Sequence, residues 1–440
     1  MGRRLLQQTN GKSPSLSSLR SQSLPRRGEN WGSRCQTGWH DNADEALNPA
    51  GTANRLIFVA VNTGFSGNEI FCLAKKGMDP GEMVIGNSVW SMGFVGTIGS
   101  GLRTLTGGEV EQVTHVVHEG RQAALERMQA WSDLRGAIGI SGVTTELVQH
   151  GGSMEFLSIG SAVHRRGQMA TNLEFTSSAD GQELYCQLDS GFTPKHFAFG
   201  NVAYSIGLGG GIVGGLRGLA RGEIKEFSQV FNHTRRLALE RIQADAVQHG
   251  ANCVVGIRTS IIPFQGMQEM VMVGTSARHD GYLSSYDAAP ATSDLTCEET
   301  WNMAHLGYLP IRLVLGCSIY SIGFVGGLAA AFKSLAKGEI SEMTKLVYQA
   351  RENALQHIAK DADECGADDV VGIKTYVYSL GSGIIEFLAI GTAVKKMPNV
   401  GTISDHLPPQ AVMRDKDTFI NTAETLRGQN LNSAQKSGAG

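Results

Sequence analysis

The sequence predicts an α+β protein of three tandem units, each a strand, a long helix and two further strands. Three observations predict it: a strand motif recurring at a domain-sized period, an apolar helical stripe after each copy, and a glycine-bounded strand pair after each helix. The motif reads VIGNSVWSMGFVG from Val84, AFGNVAYSIGLGG from Ala198 and VLGCSIYSIGFVG from Val314. From Gly86 to Gly200 is 114 residues and from Gly200 to Gly316 is 116, whole-domain spacings far longer than a solenoid unit of about 20–50.

Each unit begins ahead of its first strand, because Gly77, Gly191 and Gly307, with Pro80, Pro194 and Pro310, keep one spacing before it. Alternation rich in Val, Ile and aromatics then predicts that strand over 84–90, 198–204 and 314–320. A Gly-rich crossing leads to Gly108-Glu109, Gly222-Glu223 and Gly338-Glu339. Apolar residues follow at helical spacing: Ile340, Met343, Val347, Ala354 and Ile358 in the third copy, and Ile224, Phe227, Phe231, Ala238 and Ile242 in the second. The predicted helix is about 26 residues long and ends at Gly250 or Gly366, each suited to a left-handed cap. The third unit closes with VVGIKTYVYSL and IIEFLAIGTAV, joined by a Gly381-Ser382-Gly383 hairpin signal. Phe387 and Ala389 lie on one face of the last strand, Leu388 and Ile390 on the other. One helix covers one face, so the other face or edge is expected to meet another domain.

With 440 residues the chain has room for two to four domains, and 18% charged residues is low against a typical ~25%. A net charge of -3 leaves no basic field for a phosphate backbone, which argues against nucleic acid as a partner. The seven cysteines are scattered, odd in number and never paired as Cys-x-x-Cys. They therefore point to a reducing compartment and a cytoplasmic protein, with neither a disulfide framework nor a zinc ribbon. The longest apolar run, Ile322 to Phe332, falls short of the ~20 residues that span a bilayer, so no transmembrane segment is expected. Residues 1–55 and 398–440 are polar and read as disordered tails flanking units at 56–166, 181–280 and 297–396. The Arg/Ser-rich, acid-poor start also admits reading as an organelle transit peptide.

Several segments of the third copy are familiar together: Ser-Ile-Gly-Phe-Val-Gly-Gly, Lys337-Gly338-Glu339, Ala350-Arg351-Glu352-Asn353-Ala354-Leu355, Gly366-Ala367-Asp368-Asp369-Val370-Val371-Gly372-Ile373 and Ile390-Gly391-Thr392-Ala393-Val394. They resemble the YbjQ-like family, catalogued as a "putative heavy-metal-binding domain", and the resemblance extends over all three units. It implies a dodecin-subunit-like fold assembled into a five-fold ring. The first copy departs most, carrying Ile138-Gly139 where the third has Asp368-Asp369, while the second has Asn252-Cys253. Chemistry resting on that acidic pair would exist in one unit only.

Arg121, Arg235 and Arg351 fall on the apolar stripe of their helices, and a charge on a packing face needs a partner. Glu155, Glu269 and Glu386 on the last strands are the candidates, and these six residues are expected to form structural core or interdomain ion pairs rather than substrate-orienting ones. Glu109, Glu223 and Glu339 are expected to cap helix starts. Gly209-x-Gly211-x-x-Gly214 matches the dinucleotide pattern, but the other copies break it and no acidic residue follows at the required distance. His115 and His118 have metal-ligand spacing, yet Gln229 and Asn232, then Lys345 and Tyr348, replace them. Cys72 and Cys186 correspond, but the third copy has Asn302. No catalytic, cofactor or metal residue set is therefore expected. The sequence points to a non-enzymatic oligomeric scaffold or binding protein, a pentamer of three-domain chains whose units form three stacked rings, with a closed pseudo-three-fold packing of one chain's own units as the competing arrangement. The alternative is a metal or small-ligand binding protein using interdomain pockets.

Overall fold

The computed structural model describes residues 4–6, 57–59, 61–91, 108–150, 152–205, 222–264, 267–321, 341–381 and 384–413. The chain divides into two bodies, Met1–Val61 and Asn62–Gly440. In the first, β1 (Arg4–Leu6) pairs antiparallel with β2 (Ile57–Val59). The rest of the expected N-terminal tail lies outside the described residues, as do the Gly-rich crossings with the dinucleotide-like motif, Glu339 and the end of the C-terminal tail.

In the second body one element order recurs three times. The first unit runs α1 (Gly67–Lys75), β3 (Met78–Ser91), β4 (Gly108–Glu109), α2 (Glu111–Asp133), β5 (Gly139–His150) and β6 (Ser153–Arg165). A short strand, β7 (Phe175–Thr176), leads to α3 (Gly181–Asp189), β8 (Thr193–Ser205), β9 (Gly222–Glu223), α4 (Lys225–Gln248), β10 (Cys253–Phe264) and β11 (Met267–Arg278). The third unit has β12 (Ala291–Thr292), α5 (Cys297–His305), β13 (Tyr308–Ser321), α6 (Ser341–Glu364), β14 (Asp369–Gly381) and β15 (Ile384–Lys396), and α7 (Pro409–Val412) follows it. The α+β class and the strand, helix, strand, strand order are as the sequence predicts.

The long helices end where the glycines allow it, with φ near +65° at Gly136, Gly250 and Gly366, a conformation that side chains with a Cβ resist. Gly142, Gly256 and Gly372 also have positive φ and sit where the ladder between the closing strands slips register, which bends each sheet around its helix. The strand order within each unit is first, third, second. Each long helix crosses its own first strand so closely that a Cβ on Gly86, Gly200 or Gly316 would meet the carbonyl oxygen of Ala124, Ala238 or Ala354 at 2.1, 2.2 or 1.9 Å.

Three features differ from the sequence reading. A short helix precedes each first strand, started by a reciprocal capping box at Ser66/Glu69, Asp180/Glu183 and Thr296/Glu299. The C-terminal stretch expected as a disordered tail is folded as far as Met413, because Ala411 and Leu407 join the apolar cluster between α1 and α3. Stacking unit by unit across chains also gives way. In the second and third units the sheet face expected to meet another domain is filled by the preceding unit of the same chain, so α2 lies between its own sheet and β8, and α4 between its own sheet and β13. β4 extends the second sheet along β8 and β9 extends the third along β13. The linkers staple the same joints, with Thr176 accepting the Phe197 amide and Thr292 accepting that of Leu313, at 2.8 and 2.9 Å.

A Gly316→Ala substitution forces the backbone of α6 off the sheet. We expect it to lower stability by about 1–3 kcal/mol, the usual cost of overpacking, and a denaturant titration matching the parent's would show that the helix shifts freely.

Candidate functional site

The joints between units hold the largest fully buried charges among the described residues. Val117, Arg121, Ala124 and Met128 follow helical spacing, so the arginine shares the face that α2 packs. Its guanidinium meets the Glu269 carboxylate with two donors, Nε at 3.1 Å and Nη2 at 2.6 Å, while Nη1 reaches the Thr145 hydroxyl at 2.9 Å. Arg235 on α4 takes the equivalent place one unit later and donates through Nη2 alone to Glu386, its Nε and Nη1 being buried without a hydrogen-bond partner among the described residues. Burial works against the Arg235 charge, and the Glu386 carboxylate more than offsets it, so the guanidinium is held protonated.

Four of the six expected ion-pair residues thus meet, in a pattern displaced by one unit. Glu386, the expected partner of Arg351, is taken by Arg235, and Glu269 by Arg121. Arg351 is exposed over the Phe387 ring and has no acidic partner among the described residues. Glu155 accepts from the Asn87 side-chain amide at 3.1 Å and pairs with His150 at 2.7 Å, and these bonds hold its carboxyl below the ordinary range. The expected capping role of the Gly-Glu acids is also corrected. The residues before α2 and α4, Val110 and Ile224, form no side-chain cap, because Glu109 and Glu223 are drawn onto the neighbouring unit. Glu109 pairs with Arg241 at 2.7 Å, and Glu223 accepts from Ser318 and Asn353, both at 3.2 Å.

Asp189, which no sequence motif marks, ties all three units together. Its carboxylate accepts from Lys76 Nζ at 2.7 Å, Trp301 Nε1 at 2.8 Å and Ser404 Oγ at 2.9 Å. Burial pushes this carboxyl up, and the three donors together outweigh it and leave it below its usual value. A cavity of about 300 Å³ opens between the second and third units, walled by Ile257 and Met270 on one side and Leu295 and Tyr376 on the other. Both cations at its rim are neutralised, Arg258 by Glu183 at 2.9 Å and Lys374 by Asp294 at 3.3 Å.

His196, Asp245 and His249 bring three ligand-type atoms within 4.8 Å of one another, and His196 Nε2 is buried without a hydrogen-bond partner. The two imidazoles nevertheless stack at 3.6 Å with planes 7° apart, so their in-plane lone pairs run parallel and do not converge on a shared ion. Asp245 is occupied as well, by the Phe199 amide and by His249. In the first unit the same two positions hold an ion pair, Glu82 with Arg135 at 2.7 Å. These residues do not fit a resident metal. His115 and His118 diverge too, the first toward Glu119 and the second onto Asn201 and Phe199. Burial raises the Cys186, Cys253, Cys297 and Cys317 thiols well above their ordinary value, leaving them protonated.

Glu386→Ala would orphan a buried guanidinium. It is expected to destabilise the joint between the second and third units by about 3–5 kcal/mol in chemical denaturation, and an unchanged midpoint would mean that Arg235 finds water or another acid. Burial depresses His196 from 6.5 to about 4 against the opposing pull of Asp245. The neutral form is favoured in the fold, so this stability is complete above pH 6.5 and is lost as the pH falls toward 4, by about 3 kcal/mol. His196→Gln should remove that part of the acid dependence, and identical pH profiles for parent and variant would contradict the assignment.

Comparison with known proteins is consistent with this repeat architecture. The 32% identity with the Mycobacterium tuberculosis protein named "Encapsulin nanocompartment protein Rv1762c" runs over 226 residues, 49% of this chain and 84% of that protein. A UPF0145 protein of Pseudothermotoga lettingae is 45% identical over 85 residues, and one of Thermotoga petrophila 47% over 85; each match covers 19% of this chain and 80% of the relative. The YbjQ family model, described as "Putative heavy-metal-binding", matches residues 77–166, 193–280 and 308–397, one match per unit. The chain belongs to that family, with three copies of its domain in tandem.

Proposed function

We propose that this chain is a non-enzymatic structural scaffold of a protein assembly, acting through the docking faces of its units. The observation that carries the reading is the joint itself, made twice in one chain with a buried Arg–Glu pair at each centre. Groups that would otherwise offer chemistry are committed to packing: Glu269 and Glu386 are neutralised by arginine, and the buried thiols are protonated. The mycobacterial relative's name, which refers to a nanocompartment, supports a role in assembly. Six described cysteines are free thiols, in keeping with a reducing, cytoplasmic setting. No described helix is long and apolar enough to cross a membrane.

The interdomain cavity favours a second reading, a small-ligand carrier whose site lies between the second and third units. Native mass spectrometry of protein purified without chelator separates the two. The scaffold reading expects multiples of the 47.0 kDa chain with no added mass. A retained organic ligand would favour the carrier, and three tight metal equivalents per chain would restore the metal-binding label.

A further inference from the structure

Among the described residues, the joints inside the chain leave one complementary half open on the first unit and one on the third. In the second unit Phe197, Phe199 and Ala203 face α2 and are at most 2% exposed; in the third, Leu313, Leu315 and Ile319 face α4 and are at most 6% exposed. The same positions of the first unit are Met83, Ile85 and Val89, exposed by 49%, 50% and 60%. Beside them stand Glu155, where Glu269 and Glu386 meet their arginines, and the edge of β3, where β8 and β13 each have a strand from the preceding unit. At the other end, α6 presents Arg351 and Tyr348, the latter 64% exposed, at the positions of Arg121 and His118, which α2 buries or half-buries against the second sheet.

We infer that these two surfaces are the halves of a further joint, closed by a second copy of this chain whose first sheet docks on α6 and places Glu155 opposite Arg351. The inference rests on the scaffold reading and deepens it by naming partner and surface. The occupant is a second copy because the interface exists twice already with this charge polarity, a helix arginine entering the next sheet's glutamate. The open ends carry the apolar stripe, the acid and the base needed to make it again. Such a contact is heterologous, so chains joined this way run head to tail and form a ring where the rotation closes.

Mass photometry on the full chain at micromolar concentration tests this with Arg351→Glu and Glu155→Arg, each at an exposed or half-buried side chain away from any internal joint. The parent is expected at a multiple of 47.0 kDa and both variants at the mass of one chain. Assembled mass surviving both substitutions overturns the surface while leaving an oligomeric scaffold in place, and a single-chain parent overturns both. Hydrogen exchange of the parent gives a readout free of mutation. Amides of Ile85 to Val89 should become at least severalfold slower as concentration rises, and exchange independent of concentration counts against the joint.

Discussion

A buried arginine that crosses from one unit into the next is the constraint on which the rest of the arrangement depends. Removing a guanidinium and a carboxylate from water costs several kcal/mol each, and only close, well-directed pairing offsets it. Apolar faces alone would tolerate sliding of α2 along the second sheet, but the Arg121–Glu269 fork has one register in which both donors reach both oxygens. That register also puts the Thr114 hydroxyl at 2.9 Å from the Ala203 amide, and its equivalent puts Ser228 at 2.9 Å from that of Ile319. The ion pair contributes specificity, and the stripe around it contributes the area.

Two-sided sheets follow from this layering. Along β8 the inward residues Ala198, Val202 and Tyr204 pack on α4 while the alternate residues Phe197, Phe199 and Ala203 pack on α2, so the strand buries apolar side chains on both faces. β3 keeps the same backbone, yet its alternate residues Met83, Ile85 and Val89 are exposed. On the opposite side the short helices form a second series, α1 on α3 and α3 on α5, with Asp189 collecting donors from both neighbours and from the C-terminal segment. Three units are thereby held by charge at two separated places, which resists hinge motion between them better than either place alone.

The sequence made the repeat, the element order and the glycine caps legible, because each is written in local spacing. It also showed that Arg121, Arg235 and Arg351 sit on a packing face. Their partners were not legible for a specific reason: Glu155, Glu269 and Glu386 recur in register, so pairing within a unit and pairing with the next satisfy the same pattern. Only the fold distinguishes Glu386 bound to Arg235 from Glu386 bound to Arg351. The short helices did have a local signal, since Ser66, Asp180 and Thr296 each precede a glutamate by three residues. The roles of Glu109 and Asp189 had none, because both carboxylates are engaged by residues far away in the chain.

The comparison among copies bears on chemistry as well as on fold. The position of His196 holds Glu82 in the first unit and Arg312 in the third, and that of His249 holds Arg135 and Cys365. A site whose reaction or metal depended on these side chains could not survive such exchange, whereas a polar place at the rim of a helix–sheet joint can, provided each copy finds its own local partner. The first does so with an acid–base pair and the second with two stacked imidazoles, one of them oriented by Asp245. By contrast the arginine, the glutamate and the glycine under the helix keep both identity and position in all three units. What the repeat preserves is the glycine that lets each helix close on its own sheet and the arginine and glutamate that pair twice between successive units.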